Sequence, residues 1–352
     1  MPGSNDRLAD ESPTADQVRP REPGPADAGL RERLERLPPG HPSSPYNDDG
    51  SRKPPPPDLS ACELPIPGDP GYRPDAPPGV EPLTDAEYAD HVREVRQRLE
   101  QAQSEGLATN DQYTIDDDGT LWLEEREAFQ DLIVEELYAL ATDVPAERQA
   151  VIAGGLPGAG KTTVLEMYAG IDRSQFLTID PDEIKAEMAR RGLIPHVEGL
   201  SPMERSDLVH EESSLIAKRL ANVAQAEGRN LIWDISMLSR PTTEQRINDL
   251  RLNGYTRVEA IFVDIPSDVS KARAAARHRA GQEEYRAGNG EGGRLIPADL
   301  IDRNSDPAWG SASRKTFEEV KHRFDRWSVY DNSADGLPPV LTQSSEMEER
   351  RQ

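Results

Sequence analysis

The chain has 352 residues, enough for one large or two ordinary domains, and carries 41 basic against 65 acidic side chains for a formal charge of -24. That balance repels phosphate backbones and disfavours nucleic acid as a partner. A single cysteine, Cys62, rules out an internal disulfide, and neither a leader-like start nor a bilayer-spanning apolar run is present, so the expectation is a soluble cytoplasmic protein with no membrane partner.

Residues 1–83 hold about two-thirds of the 31 prolines, including Pro54 to Pro57, and few large apolar groups. Such a segment cannot bury enough surface to offset its ordering entropy, which predicts a disordered, proline-rich acidic tail. Order should begin at Thr84, where Thr84 and Glu87 form a capping-box signature ahead of Tyr88, Val92, Val95 and Leu99 at helical spacing. A second helix is expected over Glu124–Ala141, with Phe129, Ile133, Leu137 and Leu140 on one face. Between them, Asp116 to Gly119 read as a plain acidic turn, because the rest of a calcium loop is missing. Residues 84–145 are therefore expected as a helical extension packed on a core of 146–345, with a charged tail at 346–352.

From Ala150 the pattern alternates. Strands are predicted over 150–154, 175–179, 230–235, 258–265 and 327–330. Helices are predicted over 161–169, 181–191, 205–227, 241–252, 267–280 and 313–324. The fold class is α/β, a parallel sheet flanked by helices, in which ligands bind beyond the carboxyl ends of the strands. The first strand runs into Gly155-Leu156-Pro157-Gly158-Ala159-Gly160-Lys161-Thr162-Thr163, a complete G-x-x-x-x-G-K-[ST] phosphate loop opening a helix. Backbone N–H groups there would cradle a triphosphate, Lys161 would reach the β- and γ-phosphates, and the Thr162 hydroxyl would ligate Mg²⁺. ATP and Mg²⁺ are the expected cofactors.

Phosphoryl transfer then needs a carboxylate near the acceptor and cations for the transferred charge. Asp180 is placed to cap a helix with Pro181 at its first position, leaving Asp182 in the first turn beside the strand ends. Spacing alone leaves Asp182 open between a general base and a complement to the helix dipole. The run Asn230 to Ser236 ends in Asp234 and Ser236, suited to acceptor or metal contacts or to a strand-end cap. Lys271, Arg273, Arg277, His278, Arg279, Arg286 and Arg294 concentrate cations in an acidic chain, and Gly288, Gly290, Gly292 and Gly293 follow that helix. This combination is expected to form a lid that brings arginines onto phosphate.

Taken in order, the phosphate loop, Ile179-Asp180-Pro181-Asp182-Glu183-Ile184-Lys185, His210-Glu211-Glu212-Ser213-Ser214, Asn230 to Asp234, Ala276-Arg277-His278 and Gly293-Arg294-Leu295-Ile296-Pro297 resemble the zeta toxin family. These are the P-loop kinases of toxin–antitoxin systems, and the similarity runs from about Leu121 to about Gln343. The resemblance implies phosphorylation of the 3′-hydroxyl of UDP-N-acetylglucosamine with ATP and Mg²⁺. It implies Lys161 on the transferred phosphate, Asp182 as general base, Arg277 and Arg294 on the transferring phosphoryl, and Glu212, Asp234 and Ser236 facing the nucleotide-sugar. It further implies a small helical antitoxin partner. Two departures face the acceptor: Pro195-His196 stands later and in reversed order where the family has a His-Pro pair, and Asp234 replaces a longer Glu. Alternatives are a kinase for a nucleotide, dinucleotide cofactor or antibiotic hydroxyl, and a nucleotide-gated interaction module.

Overall fold

The structure is a computed structural model that describes residues 83–116 and 121–350. The proline-rich segment and the centre of the acidic turn lie outside the described residues.

Helix α1 (Asp85–Ser104) starts where the capping box places it. The Thr84 side chain accepts from the Glu87 amide, and Glu87 reaches back to the Thr84 amide. A short helix α2 (Thr109–Tyr113) follows, then α3 (Glu124–Ala139). Helix α1 lays Val95, Leu99 and Ala102 against Leu200, Leu208 and Leu295 in a small core of its own. Helix α3 feeds Ile133 and Val134 into the main core.

The remainder alternates: β1 (Gln149–Gly154), α4 (Lys161–Met167), β2 (Leu177–Ile179), α5 (Pro181–Arg190), α6 (His210–Ala226), β3 (Leu231–Asp234), α7 (Arg240–Leu252), β4 (Arg257–Asp264), α8 (Ser267–Arg286), α9 (Ala298–Arg303), α10 (Ala312–Val320), β5 (Arg326–Asp331), β6 (Val340–Ser344) and α11 (Ser345–Glu349). The strands form one six-stranded sheet in the order β2-β3-β1-β4-β5-β6, parallel from β2 to β5. Strand side chains alternate between faces. Ala150 and Ile152 of β1, with Trp233, Phe262 and Trp327, face the larger core with α3, α5, α6, α7 and α10. Val151, Ala153, Ile232, Ile261 and Val263 face a smaller core with α4 and the start of α8. Burial on both faces explains why these strands read as continuous apolar runs.

The structure adds elements absent from the sequence reading. Strand β6 pairs antiparallel with β5 at the sheet edge, and its residues are mostly exposed, so no apolar run announces it. The charged tail expected at 346–352 contains α11, capped by the Ser344 side chain accepting from the Met347 amide. Helix α8 runs six residues past its expected end at 280, to Arg286.

Candidate active site

At the carboxyl end of β1 the chain enters the phosphate loop. Gly160 is the N-cap of α4 with φ 81°, a left-handed conformation that a side chain would strain, and this aims the first amides of α4 out of the sheet. The amides of Gly158, Gly160, Lys161 and Thr162 have no acceptor among the described residues, as expected for a helix start awaiting an anion. The loop is braced from behind. The Ser270 hydroxyl donates to Pro157 O at 2.7 Å, Arg273 Nη1 to Gly158 O at 3.3 Å, and Asn332 Nδ2 to Ala159 O at 2.7 Å. None of these three was singled out as a loop contact from sequence, because Ser270 and Arg273 reach the loop from α8 and Asn332 from the end of β5, and none shares a local motif with it.

Strand order decides what else reaches the loop. Strand β3 lies directly beside β1, so its last residue, Asp234, ends next to Lys161, with Nζ to Oδ1 at 3.2 Å. Strand β2 lies beyond β3 and delivers Asp180, whose carboxylate accepts from the Asp182 amide at 2.8 Å and caps α5. Burial, followed by the charges of Asp234 and Asp182, pushes the Asp180 carboxyl up to about 7. Asp180 and Asp234 lie close enough for the charge of Asp234 to act on Asp180, and Thr162 is exposed at the start of α4; such oxygen donors are of the kind that fits Mg²⁺ held by a loop hydroxyl and a strand-end aspartate.

Asp182, half-exposed in the first turn of α5, is bonded by Arg294 Nη1 and lies 3.3 Å from Lys185 Nζ. Burial opposes its ionisation, but the Arg294 guanidinium and Lys185 ammonium outweigh that and hold the carboxyl well below the usual range, with Lys161 adding to the effect. The same electrostatic reach ties Asp182 to the phosphate loop. Lys185 is itself almost wholly buried (1% exposed), and burial followed by the Arg294 charge lowers its pKa against the opposing pull of Asp182 and Asp207. It stands in the same short segment as Asp180 and Asp182, yet its α5 face became evident only with the fold. Arg294 also reaches Asp207 at 3.4 Å, and its Nε has no partner among the described residues.

The glycine-rich stretch after α8 is pinned at its far end. A Cβ on Gly293 would lie 2.2 Å from His278 O, so only glycine lets the chain rest on α8 and return Arg294 to Asp182. Arg277 lies one turn beyond Arg273 on α8, exposed and without an ion-pair partner among the described residues. Ser236 is half-buried just past β3. Glu212 sits elsewhere than the acceptor face expected for it. It is 0% exposed, accepts from Arg126 Nε and Nη2 at 2.8 and 2.7 Å, and from Gln130 Nε2 at 2.9 Å. That enclosure presents no surface to a substrate, so in this structure Glu212 belongs to a buried ion pair.

A groove of about 240 Å³ lies at β2 between Leu137, Phe176 and Leu220, and of Asp180, Asp182 and Asp234 only Asp180 lines it. It is smaller than the roughly 300–1,000 Å³ of ordinary ligand clefts, so it is not assigned to the acceptor.

A mostly parallel sheet, a phosphate loop after its central strand and an acid–arginine pair at the same edge define a P-loop kinase-like protein. More specifically, the chain belongs to the zeta toxin family, whose model matches residues 138–335. Among solved structures, the chain resembles one from the PezAT chromosomal toxin–antitoxin system of Streptococcus pneumoniae, at 18% identity and TM-score 0.44, covering 63% of this chain and 81% of that one. It also resembles the AvrRxo1-ORF1:AvrRxo1-ORF2 complex with sulphate ions, at 16% identity and TM-score 0.48, covering 66% and 73%. A third is described as a putative kinase from Chloroflexus aurantiacus, at 21% identity and TM-score 0.32, covering 44% and 77%. No curated protein matches the chain.

Proposed function

We propose that the chain transfers the γ-phosphate of ATP to a hydroxyl of a nucleotide-sugar, the 3′-hydroxyl of UDP-N-acetylglucosamine, and acts as a toxin. Membership of the zeta toxin family supports the reading, and one observation carries it: Lys161, Asp234, Asp182 and Arg294 form a chain of charges across the ends of β1, β3 and β2.

The amides of Gly158, Gly160, Lys161 and Thr162, without acceptors among the described residues, bind the triphosphate and Lys161 carries the transferred phosphoryl, exchanging its present contact with Asp234 for phosphate. The incoming γ-phosphate competes in the same way for Arg294, which frees a carboxylate oxygen of Asp182 to accept the acceptor hydroxyl's proton. Because Arg294 and Lys185 keep Asp182 ionised, it is ready as a base without first losing a proton. Phosphoryl transfer through a loose transition state asks more of positioning than of basicity, so a low pKa does not disqualify it. Arg277 extends from the helix that braces the loop and meets the developing charge together with Arg294. Bound Mg²⁺ neutralises phosphate charge, and Thr162, Asp234 and Asp180 are the oxygen donors that would hold it. Asp234 and Ser236 flank the acceptor side. A small helical antitoxin is the expected partner by family.

The test is mass spectrometry of a metabolite extract incubated with the protein, ATP and Mg²⁺. The expected result is one nucleotide-sugar species gaining a single phosphate, and UDP-N-acetylglucosamine alone should reproduce it. Phosphate gained by a different metabolite would reassign the acceptor. γ-Phosphate released only to water would replace the kinase with a nucleotide-gated module.

A further inference from the structure

Helix α1 precedes the family match, which starts at residue 138, yet it is locked onto the arginine-bearing part of the core. Its Asp85 pairs with Arg279 of α8 at 2.7 Å, and its Tyr88 hydroxyl donates to Ala275 O at 3.0 Å. At this junction three potential metal ligands converge from three elements: His91 from α1, Glu204 from the segment before α6, and His278 from α8. Their ligand atoms all lie within 4.8 Å of one another, and both histidines direct Nε2 at the same carboxylate oxygen, Glu204 Oε1, with His278 at 3.1 Å and His91 closer.

The supporting hydrogen bonds are already set. Glu204 Oε2 accepts from the Ser201 amide and hydroxyl, both at 2.9 Å, and from Gln282 Nε2 at 3.2 Å. His278 Nδ1 lies 2.8 Å from the Tyr88 hydroxyl, whose single proton is directed to Ala275 O. With Nδ1–H given to the Tyr88 oxygen, Nε2 of His278 is left to ligate an ion together with Glu204 Oε1 and the His91 Nε2 aimed at the same oxygen. Metal-bound histidines characteristically donate their other N–H in this way. Gln282, one turn beyond His278, is 5% exposed and its Oε1 is an acceptor without a partner among the described residues.

We propose that His91, Glu204 and His278 form a binding site for a zinc-class divalent transition metal ion that fastens α1 to the helix bearing Arg277. Two imidazoles and one carboxylate are a recurrent zinc ligand set, with N and O ligands about 2.0–2.2 Å from the ion and a fourth position left to water. Ligands at that radius in a tetrahedron stand roughly 3.3 Å apart, close to the His278 spacing, and His91, the only partly exposed member at 19%, has room to rotate outward. The consequence reaches the active site. His278 adjoins Arg277 in sequence, and its backbone is the surface on which Gly293 rests beside Arg294. An ion here fixes the base of both arginine motifs, and the N-terminal extension becomes a metal-dependent brace for them.

The experiment uses the full chain, stripped with a chelator and titrated with Zn²⁺, with Co²⁺ as the coloured probe. One equivalent should bind, giving a tetrahedral Co²⁺ absorption band and a melting temperature several degrees higher with saturating Zn²⁺. His91→Gln, at the partly exposed ligand, should fold, lose the band and weaken zinc binding at least 100-fold. Glu204→Gln and His278→Gln should do the same wherever they fold. Wild type that binds no stoichiometric zinc, or binding that all three variants leave unchanged, overturns the site. So does a melting temperature indifferent to zinc and chelator while His91→Gln still lowers it, since that outcome describes a hydrogen-bonded cluster with a doubly protonated His278. Metal content, colour and melting are read without turnover, so failure of the kinase reading leaves this result standing.

Discussion

Two carboxylate–arginine pairs sit on neighbouring helices of the same layer and are built for opposite ends. Glu212 with Arg126 is sealed, at 0% and 7% exposed, and saturated: the guanidinium forks onto both carboxylate oxygens, Gln130 adds a third bond, and Arg126 Nη2 also donates to Leu193 O. Asp182 with Arg294 is open, at 46% and 20% exposed, and over-subscribed: Arg294 divides itself between Asp182 and Asp207, Asp182 divides itself between Arg294 and Lys185, and Arg294 Nε is left over. A saturated pair cannot be exchanged without leaving a buried charge bare, whereas a shared, half-wet one can give up a partner to an incoming phosphate. The difference separates a structural ion pair from a pair that can take part in chemistry.

The sharpest way to break this comparison is at the open pair. Asp182→Asn should lower turnover by about 10²–10⁴-fold while leaving ATP affinity within a few-fold of wild type. Lys161→Ala should lose about 10²–10³-fold or more because it removes a contact to the transferred charge. Steady-state kinetics beside nucleotide binding by calorimetry checks both. Near-normal turnover in Asp182→Asn would remove the general base from the account.

The sealed pair should respond in stability instead. Arg126→Ala strands the Glu212 carboxylate in the core and should cost about 3–5 kcal/mol by urea unfolding. Activity per folded molecule should stay within a few-fold of wild type. A variant that kept its stability but lost acceptor binding would return Glu212 to the substrate face and erase the contrast.

How far the sequence discloses these pairs depends on the range of the interactions. The phosphate loop is a local motif with a fixed backbone consequence, so residues 155–163 were legible, as were the capping box at Thr84 and the βα alternation. The Asp180–Asp182 segment was legible as a helix start for the same reason. Glu212 was misplaced because helical spacing gives a face but not what covers it. Its partners, Arg126 and Gln130, come from a helix 82–86 residues upstream. Lys185, Asp207, Ser270 and Asn332 owe their roles to strand order, which alternation predicts only in outline. Strand β6 was invisible because an exposed edge strand needs no apolar run.

The smallest expected effect concerns Asp180, which belongs to neither pair yet feels both Asp234 and the open pair. Its carboxyl is pushed up to about 7 by burial first and then by Asp234 and Asp182, against 3.8 for an ordinary aspartate. A folded state that raises an acid's pKa holds the proton more tightly than the unfolded chain. Its contribution to stability is therefore fully present below about pH 3.8 and is lost as the pH climbs to about 7. Asp180→Asn removes the charge but keeps an oxygen to accept from the Asp182 amide, and asparagine caps helices as well as aspartate does. Without added metal, the variant should melt a few degrees above wild type at pH 8. The gap should close as the pH falls toward 4 and wild-type Asp180 takes up its proton. Thermal melts across that range decide it. Coincident curves at pH 8 would mean that the strand-end carboxylates do not repel one another, and that the donor set assigned to Mg²⁺ is looser than the structure draws it.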